Sequence, residues 1–145
     1  MTNILYWDDV EIDQDLPSLT KTVTTQQLVQ YAGASGDFYQ IHYDKDFAVL
    51  NGLPGVIIHG ALKNAFLGQL ITDWIGPYGE IKKLSIQYRG MDVPNDQLIC
   101  KGRVSKKFAH KGLYYVECDI WLENEKGEKT SPGSATVILP AKPHS

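Results

Sequence analysis

The segment from Val56 to Ile75 limits what this chain can become more than any other. It is the most apolar stretch, yet His59, Lys63, Asn64, Gln69 and Asp73 interrupt it, so it falls short of the ~20 apolar residues that span a bilayer. Within it the pattern predicts a helix from near Gly60 to about Trp74, stopped by Gly76-Pro77. Leu62, Phe66, Leu70 and Trp74 recur at three-to-four-residue spacing, and Ala61, Ala65 and Gly68 add a face of small side chains. A helix that is apolar nearly all round has no face to give to water and must be wrapped by other structure.

From Gly79 onward the period changes to two. Leu84, Ile86 and Tyr88 alternate with Ser85, Gln87 and Arg89, and Leu98, Cys100 and Val104 with Ile99, Lys101 and Arg103; Tyr114, Val116, Cys118, Ile120 and Leu122 stand opposite Glu117 and Asp119, and Ala135, Val137 and Leu139 mark a last strand. Glu125-Lys126-Gly127 supplies a hairpin turn, so the carboxyl half reads as an antiparallel meander. A sheet long enough to curl around one apolar helix is an α+β layer solution, the hot-dog fold.

Ahead of that helix, Thr24-Thr25-Gln26-Gln27 makes a capping box, and Val23 with Leu28 has the spacing of a hydrophobic staple. The first helix should run to about Ala34. A second, short helix is predicted with Asp44 as N-cap, burying Phe47, Ala48 and Leu50 and ending at Gly52 before Pro54.

The 145 residues, 43% hydrophobic, fit one domain over residues 1–140 with a loose tail from Ala141 to Ser145. A formal net charge of -3 supplies no positive field for nucleic acid or an anionic membrane surface. Met1 to Asp9 lacks the basic and apolar regions of a secretion signal, which predicts a cytoplasmic protein. Cys100 and Cys118 lie in strand patterns far from any CxxC spacing and read as reduced, buried thiols.

Chemistry is most legible in Ser35-Gly36-Asp37-Phe38-Tyr39-Gln40-Ile41-His42, a short connection that holds a carboxylate and an imidazole between two helices. A carboxylate and a histidine that converge on one water can divide acid and base work. The same residues also fit a plain structural role, with Asp37 capping a turn and His42 hydrogen-bonded in the loop. Metal ligation by Asp37, His42 and Asp44 is a third reading, weakened by the lack of a second histidine cluster, and no metal is expected.

Val56-Ile57-Ile58-His59-Gly60 leads into the central helix. The first N–H groups of a helix are unpaired and lie at its positive end, so Gly60 and Ala61 can donate to an oxygen that gains negative charge. Gly60 equally suits tight packing of helix on sheet, and His59 reads as a structural histidine. Arg89, Lys101, Arg103, Lys106 and Lys107 suit phosphate binding or a solvated sheet edge.

Tyr31-Ala32-Gly33-Ala34-Ser35-Gly36-Asp37, followed by Ile41-His42-Tyr43-Asp44, Gly52 and Ile58-His59-Gly60, resembles the MaoC-like hydratase/dehydratase family, which includes R-specific enoyl-CoA hydratases. Thr72-Asp73-Trp74-Ile75-Gly76 and Val93-Pro94-Asn95-Asp96 extend the likeness toward the catalytic subunit of (3R)-hydroxyacyl-ACP dehydratases. The resemblance implies a hot-dog dimer in which Asp37 and His42 hold the reacting water and the Gly60 N–H polarises the thioester carbonyl. It makes Tyr39, Ile58, His59, Ala61 and Arg89 the candidate substrate contacts. Tyr39-Gln40 stands where the family has Asn-Pro, Ala61 where it has Met, and Gly68 where some R-hydratases carry a serine.

The expected activity is therefore syn addition or removal of water on enoyl or (3R)-3-hydroxyacyl thioesters. The CoA or acyl-carrier thioester enters as substrate, with no metal or redox cofactor. Two alternatives stand: a hot-dog acyl-thioesterase, and a non-catalytic partner subunit of a heterodimeric dehydratase, which would not need its own Asp-His pair. A homodimer is the expected assembly, since pairing covers a sheet edge and the mouth of an acyl tunnel, with a heterodimer as the other arrangement.

Overall fold

The computed structural model describes residues 3–143. Five antiparallel strands form one sheet: β1 (Leu19–Thr22), β2 (Glu80–Ile86), β3 (Gln97–His110), β4 (Leu113–Glu123) and β5 (Lys129–Leu139), in the spatial order β1-β3-β4-β5-β2. The period-two pattern builds the inner face directly. Leu98, Cys100, Val104, Val116, Cys118, Ile120, Leu122, Ala135, Val137 and Leu139 are all buried. Cross-strand pairs such as Cys100 with Leu122 and Val116 with Val137 place them on a common face. The β4–β5 turn falls at the expected residues: Asn124 Oδ1 accepts from the Lys126 and Glu128 N–H groups, and Gly127 adopts φ 77°.

Three helices, α1 (Thr25–Ser35), α2 (Lys45–Leu50) and α3 (Gly60–Ile75), precede β2. Thr24 caps α1 with both halves of the capping box formed, and Val23 and Leu28 are both buried in the core. Asp44 caps α2 by accepting from the Phe47 N–H. The sheet and α3 make the α+β hot-dog arrangement that the alternating patterns predict. Because His59 at the N-cap of α3 makes no side-chain cap bond, packing rather than capping holds that helix. Leu67, Leu70 and Ile71 are fully buried, each worth roughly 1.5–3 kcal/mol.

Several particulars differ from the pattern-based reading. The buried stripe of α3 is Lys63, Leu67, Leu70, Ile71 and Ile75, while Leu62, Phe66 and Trp74 are half-buried and Ala61 and Ala65 face outward. A helix apolar on every side gives no phase to choose by, and the sheet covers one face only. Leu50 is 86% exposed rather than buried, since the short α2 turns only Ala48 fully inward. Tyr88 lies beyond the end of β2 and is exposed. The meander comprises β3, β4 and β5, whereas β2 joins at the far side of β5; alternation identifies a strand but not its neighbour. β1 carries no apolar alternation that would have marked it.

The two cysteines are free and buried, and burial pushes their thiols up to about 11 for Cys100 and about 12 for Cys118. The segment expected to be a loose tail is tied down at Lys142, whose N–H donates to Asp8 and whose ammonium donates to Asp9. Residues 144 and 145 of that tail lie outside the described residues.

Candidate active site

The loop between α1 and α2 is folded by its own polar groups. Gly36 ends α1 in the left-handed conformation, φ 77°, which a residue without a side chain adopts at little cost. Ser35 Oγ donates to Tyr31 O at 2.7 Å and accepts from the Asp37 N–H at 3.2 Å. Asp37 Oδ1 in turn accepts from the Tyr39 N–H at 3.4 Å, and the Tyr43 hydroxyl donates to Phe38 O at 2.6 Å. The turn-capping role of Asp37 is therefore present, but it uses one oxygen only.

The other oxygen, Oδ2, lies 3.8 Å from His42 Nε2. His42 ends a single 3-10 turn, Gln40–His42, and its Nδ1 is 2.8 Å from Ile57 O. A carbonyl only accepts, so Nδ1 carries a proton and it is Nε2 that faces Asp37. The side chains are 9% and 45% exposed, so the imidazole is shielded while the carboxylate reaches solvent.

The third member of the cluster is His59, which the sequence presents as a structural residue and the family resemblance as a substrate contact. Its ring stacks on His42 with centroids 3.9 Å apart at 21°, and the Tyr31 ring meets it edge-on at 4.7 Å. His59 Nε2 lies 3.4 Å from Asp37 O and so donates, while Nδ1 is buried without a partner among the described residues. Burial, and then the neighbouring His42, pull the His59 pKa below its usual value, partly offset by the bond to Asp37 O and the Asp37 charge.

Ligand atoms of Asp37, His42 and His59 all lie within 4.8 Å of one another, which is the spacing of a metal centre. Asp44, the third ligand considered from sequence, is instead occupied in capping α2. The stacking opposes metal binding by the other three. Ring planes inclined at 21° in face-to-face contact hold their in-plane lone pairs in two nearly parallel, separated planes, which an ion at a tetrahedral angle to both does not fit. The geometry fits a proton-transfer centre better than a metal centre.

His59 is also the residue before α3, which brings the uncapped amino end of that helix to the cluster. A Cβ at Gly60 would stand 3.2 Å from ring carbons of Tyr88, so only glycine fits there without displacing that ring. Ala61 is exposed beside it, whereas the Ile58 side chain belongs to the core cluster. Tyr39 is exposed, its ring 6.3 Å from that of His42 and 6.0 Å from that of Phe47. A mostly apolar cavity of about 400 Å³ opens beside His42, walled by Thr25, Val29, Tyr43, Val56 and Val93.

The basic residues do not gather at this centre. The Arg89 guanidinium donates to Gln87, Lys101 pairs with Glu123, Arg103 pairs with Asp15, and Lys107 donates to Val10 O over the face of Trp7. These partners fit the solvated-edge reading. Sequence reasoning also missed a buried network behind the site. Lys63 Nζ reaches Asp92 Oδ2 at 3.0 Å and Gly90 O at 3.1 Å, and the Thr130 hydroxyl donates to the same Asp92 oxygen at 2.6 Å. A lysine in the middle of an apolar helix was the available signal.

The MaoC like domain family matches residues 9–122. The chain belongs to that family. Among curated MaoC-like relatives, an (R)-specific enoyl-CoA hydratase of Rhodospirillum rubrum is 25% identical over 143 residues, covering 94% of this chain and 93% of the hydratase. A fatty acid synthase beta subunit of Cochliobolus carbonum is 38% identical over 112 residues, 74% of this chain, and the chain spans only 5% of that subunit's length. An unliganded R-hydratase from Pseudomonas aeruginosa shares the MaoC-like fold with a TM-score of 0.84 at 22% identity, over 94% of this chain and 86% of the hydratase. No helix among the described residues is long and apolar enough to cross a membrane.

Proposed function

We propose that this protein is a hydro-lyase that adds water to, or removes it from, enoyl and 3-hydroxyacyl thioesters, with Asp37 and His42 as its proton-handling pair. The observation that carries the reading is the approach of Asp37 Oδ2 to His42 Nε2 within one loop, next to the uncapped start of α3. The R specificity borne by the names of the hydratase relatives supports a (3R)-hydroxy product.

In the hydration direction, one water sits between Asp37 Oδ2 and His42 Nε2. His42 Nε2 takes a proton as the water oxygen bonds to C3, and the electron pair of the double bond moves toward the thioester carbonyl. The N–H of Gly60 meets the oxygen where negative charge gathers. The Asp37 carboxylate holds the water and then the imidazolium, which returns its proton to C2 from the same side. Delivery of both atoms from one face is a syn addition. Dehydration is the same sequence reversed, and the CoA or acyl-carrier portion takes no part beyond binding.

The reading treats residues 1–140 as a single catalytic domain in the cytoplasm. It also assembles as a homodimer, which would cover the outward face of α3 at Ala61 and Ala65 and a free edge of the sheet. Light scattering at micromolar concentration should report twice the chain mass.

The deciding experiment incubates the purified protein with a short trans-2-enoyl-CoA and follows loss of the conjugated thioester, with chiral analysis of the product. His42→Ala should slow the reaction by at least about 100-fold, the usual scale of acid-base assistance. Release of free thiol from saturated acyl-CoA without conversion of the enoyl substrate would replace the hydratase reading with a thioesterase one.

A further inference from the structure

We infer that Tyr88 is a specificity-determining residue, its ring forming one wall of the space beside the Gly60 N–H and restricting substituents on C2 of the acyl group. The inference rests on the enoyl-thioester reading of the site.

Tyr88 belongs to a stretch of chain that is not in the sheet yet is fixed from two sides. On one side the N–H groups of Gln87, Arg89 and Gly90 donate to Pro132 O at 2.8 Å and Thr130 O at 3.0 and 2.9 Å, keeping the segment against β5. On the other side Lys63, which projects from the second turn of α3, donates to Gly90 O and Asp92 Oδ2, and the Ile58 N–H donates to Asp92 O at 2.8 Å. Lys63 and Asp92 are each 3% exposed, so this strap is out of water, where an ion pair is strongly disfavoured from losing either partner.

What the strap holds in place is an aromatic ring over a glycine. Cε1 and Cζ of Tyr88 lie 3.2 Å from the position a Gly60 Cβ would take, and the Lys63 ammonium lies 6.0 Å from the ring centroid. The residue is nevertheless 54% exposed, so part of the ring faces whatever approaches the helix start. A thioester oxygen that accepts from the Gly60 N–H brings its C2 carbon alongside that ring. A hydrogen on C2 is accommodated there, while a methyl group meets the ring, whose backbone cannot retreat because it is hydrogen-bonded on both sides of Tyr88. A single methyl-sized difference in a shaped pocket discriminates by roughly 10–200-fold.

The test compares kcat/KM for a straight-chain trans-2-enoyl-CoA and its 2-methyl counterpart in the wild-type protein, Tyr88→Phe and Tyr88→Ala. The wild-type protein should favour the straight chain by at least about 10-fold. Tyr88→Phe should keep that ratio, and Tyr88→Ala should bring it down by about 10-fold or more. Equal use of both substrates by the wild-type protein, or an unmoved ratio in Tyr88→Ala while turnover still depends on His42, overturns the role of Tyr88 and leaves the hydratase reading in place. Failure of the wild-type protein to convert either substrate overturns both.

Discussion

The imidazole of His59 lies face to face with that of His42, centroids 3.9 Å apart, and each ring has one nitrogen committed to a backbone carbonyl. The two carbonyls, Ile57 O and Asp37 O, belong to the two segments that meet at the site. The stack therefore joins the Asp37 loop to the start of α3. It also makes protonation of His59 unfavourable, because the charged ring would be buried away from water and next to the His42 imidazole.

That arrangement has a signature in stability. Burial first, and His42 second, lower the folded-state pKa of His59 below the usual 6.5, so on acidification the unfolded chain takes up a proton before the folded one does. The stabilising contribution is complete above pH 6.5 and is lost as pH falls through the folded pKa. Urea unfolding of the wild-type protein at pH 7.5 and 5.5 should show a larger loss at the lower pH than His59→Phe, which keeps a stacking ring but cannot titrate. Equal losses in the two proteins would rule His59 out as the source.

Asp37 Oδ1 accepts from the Tyr39 N–H while Oδ2 faces His42 Nε2, and mutation separates the two contacts. Asp37→Asn keeps an oxygen to accept from the Tyr39 N–H while removing the charge beside His42 Nε2. It should lower kcat by at least about 100-fold while shifting stability by less than about 0.5 kcal/mol. Asp37→Ala should lose the activity and a further 0.5–1.5 kcal/mol, roughly, for the turn hydrogen bond. Activity retained in Asp37→Asn would confine Asp37 to turn formation.

The capping box offers a check on the local folding argument. Thr24→Ala removes the acceptor for the Gln27 N–H and should cost about 1 kcal/mol in chemical unfolding. An unchanged midpoint would mean that packing of Leu28 and Ala32 alone sets the start of α1.

These features differ in how far they could be read ahead of the structure. Thr24 with Gln27, Asp44 at α2 and Gly127 in the hairpin are satisfied within three or four residues, so the local sequence contains both partners. Asp37 and His42 share a loop, and their approach follows from one turn. His59 reaches them across 22 residues, and Lys63 finds Asp92 across 29, so neither partnership leaves a spacing to recognise. The place of β2 beside β5 was hidden for the same reason, since alternation records which face is buried and nothing about which edge is paired. Tyr88 continued the alternation of β2 on paper, but the chain leaves the ladder after Ile86 to follow the Thr130 and Asp92 bonds.

The buried pair itself yields the last prediction. Lys63 and Asp92 tie the start of α3 to the segment carrying Tyr88, and Asp92 Oδ1 already has no hydrogen-bond partner among the described residues. Lys63→Met removes the countercharge and leaves a buried carboxylate facing Thr130, which should cost about 3–5 kcal/mol. Adding Asp92→Leu removes the stranded charge, so the double variant should recover much of that loss and the two effects should be strongly non-additive. Because the same change releases Gly90 O, the double variant should remain folded yet hold Tyr88 less firmly, and its preference for straight-chain substrate should weaken. Simple additivity in a double-mutant cycle measured by urea unfolding would show that Lys63 and Asp92 do not act as a pair.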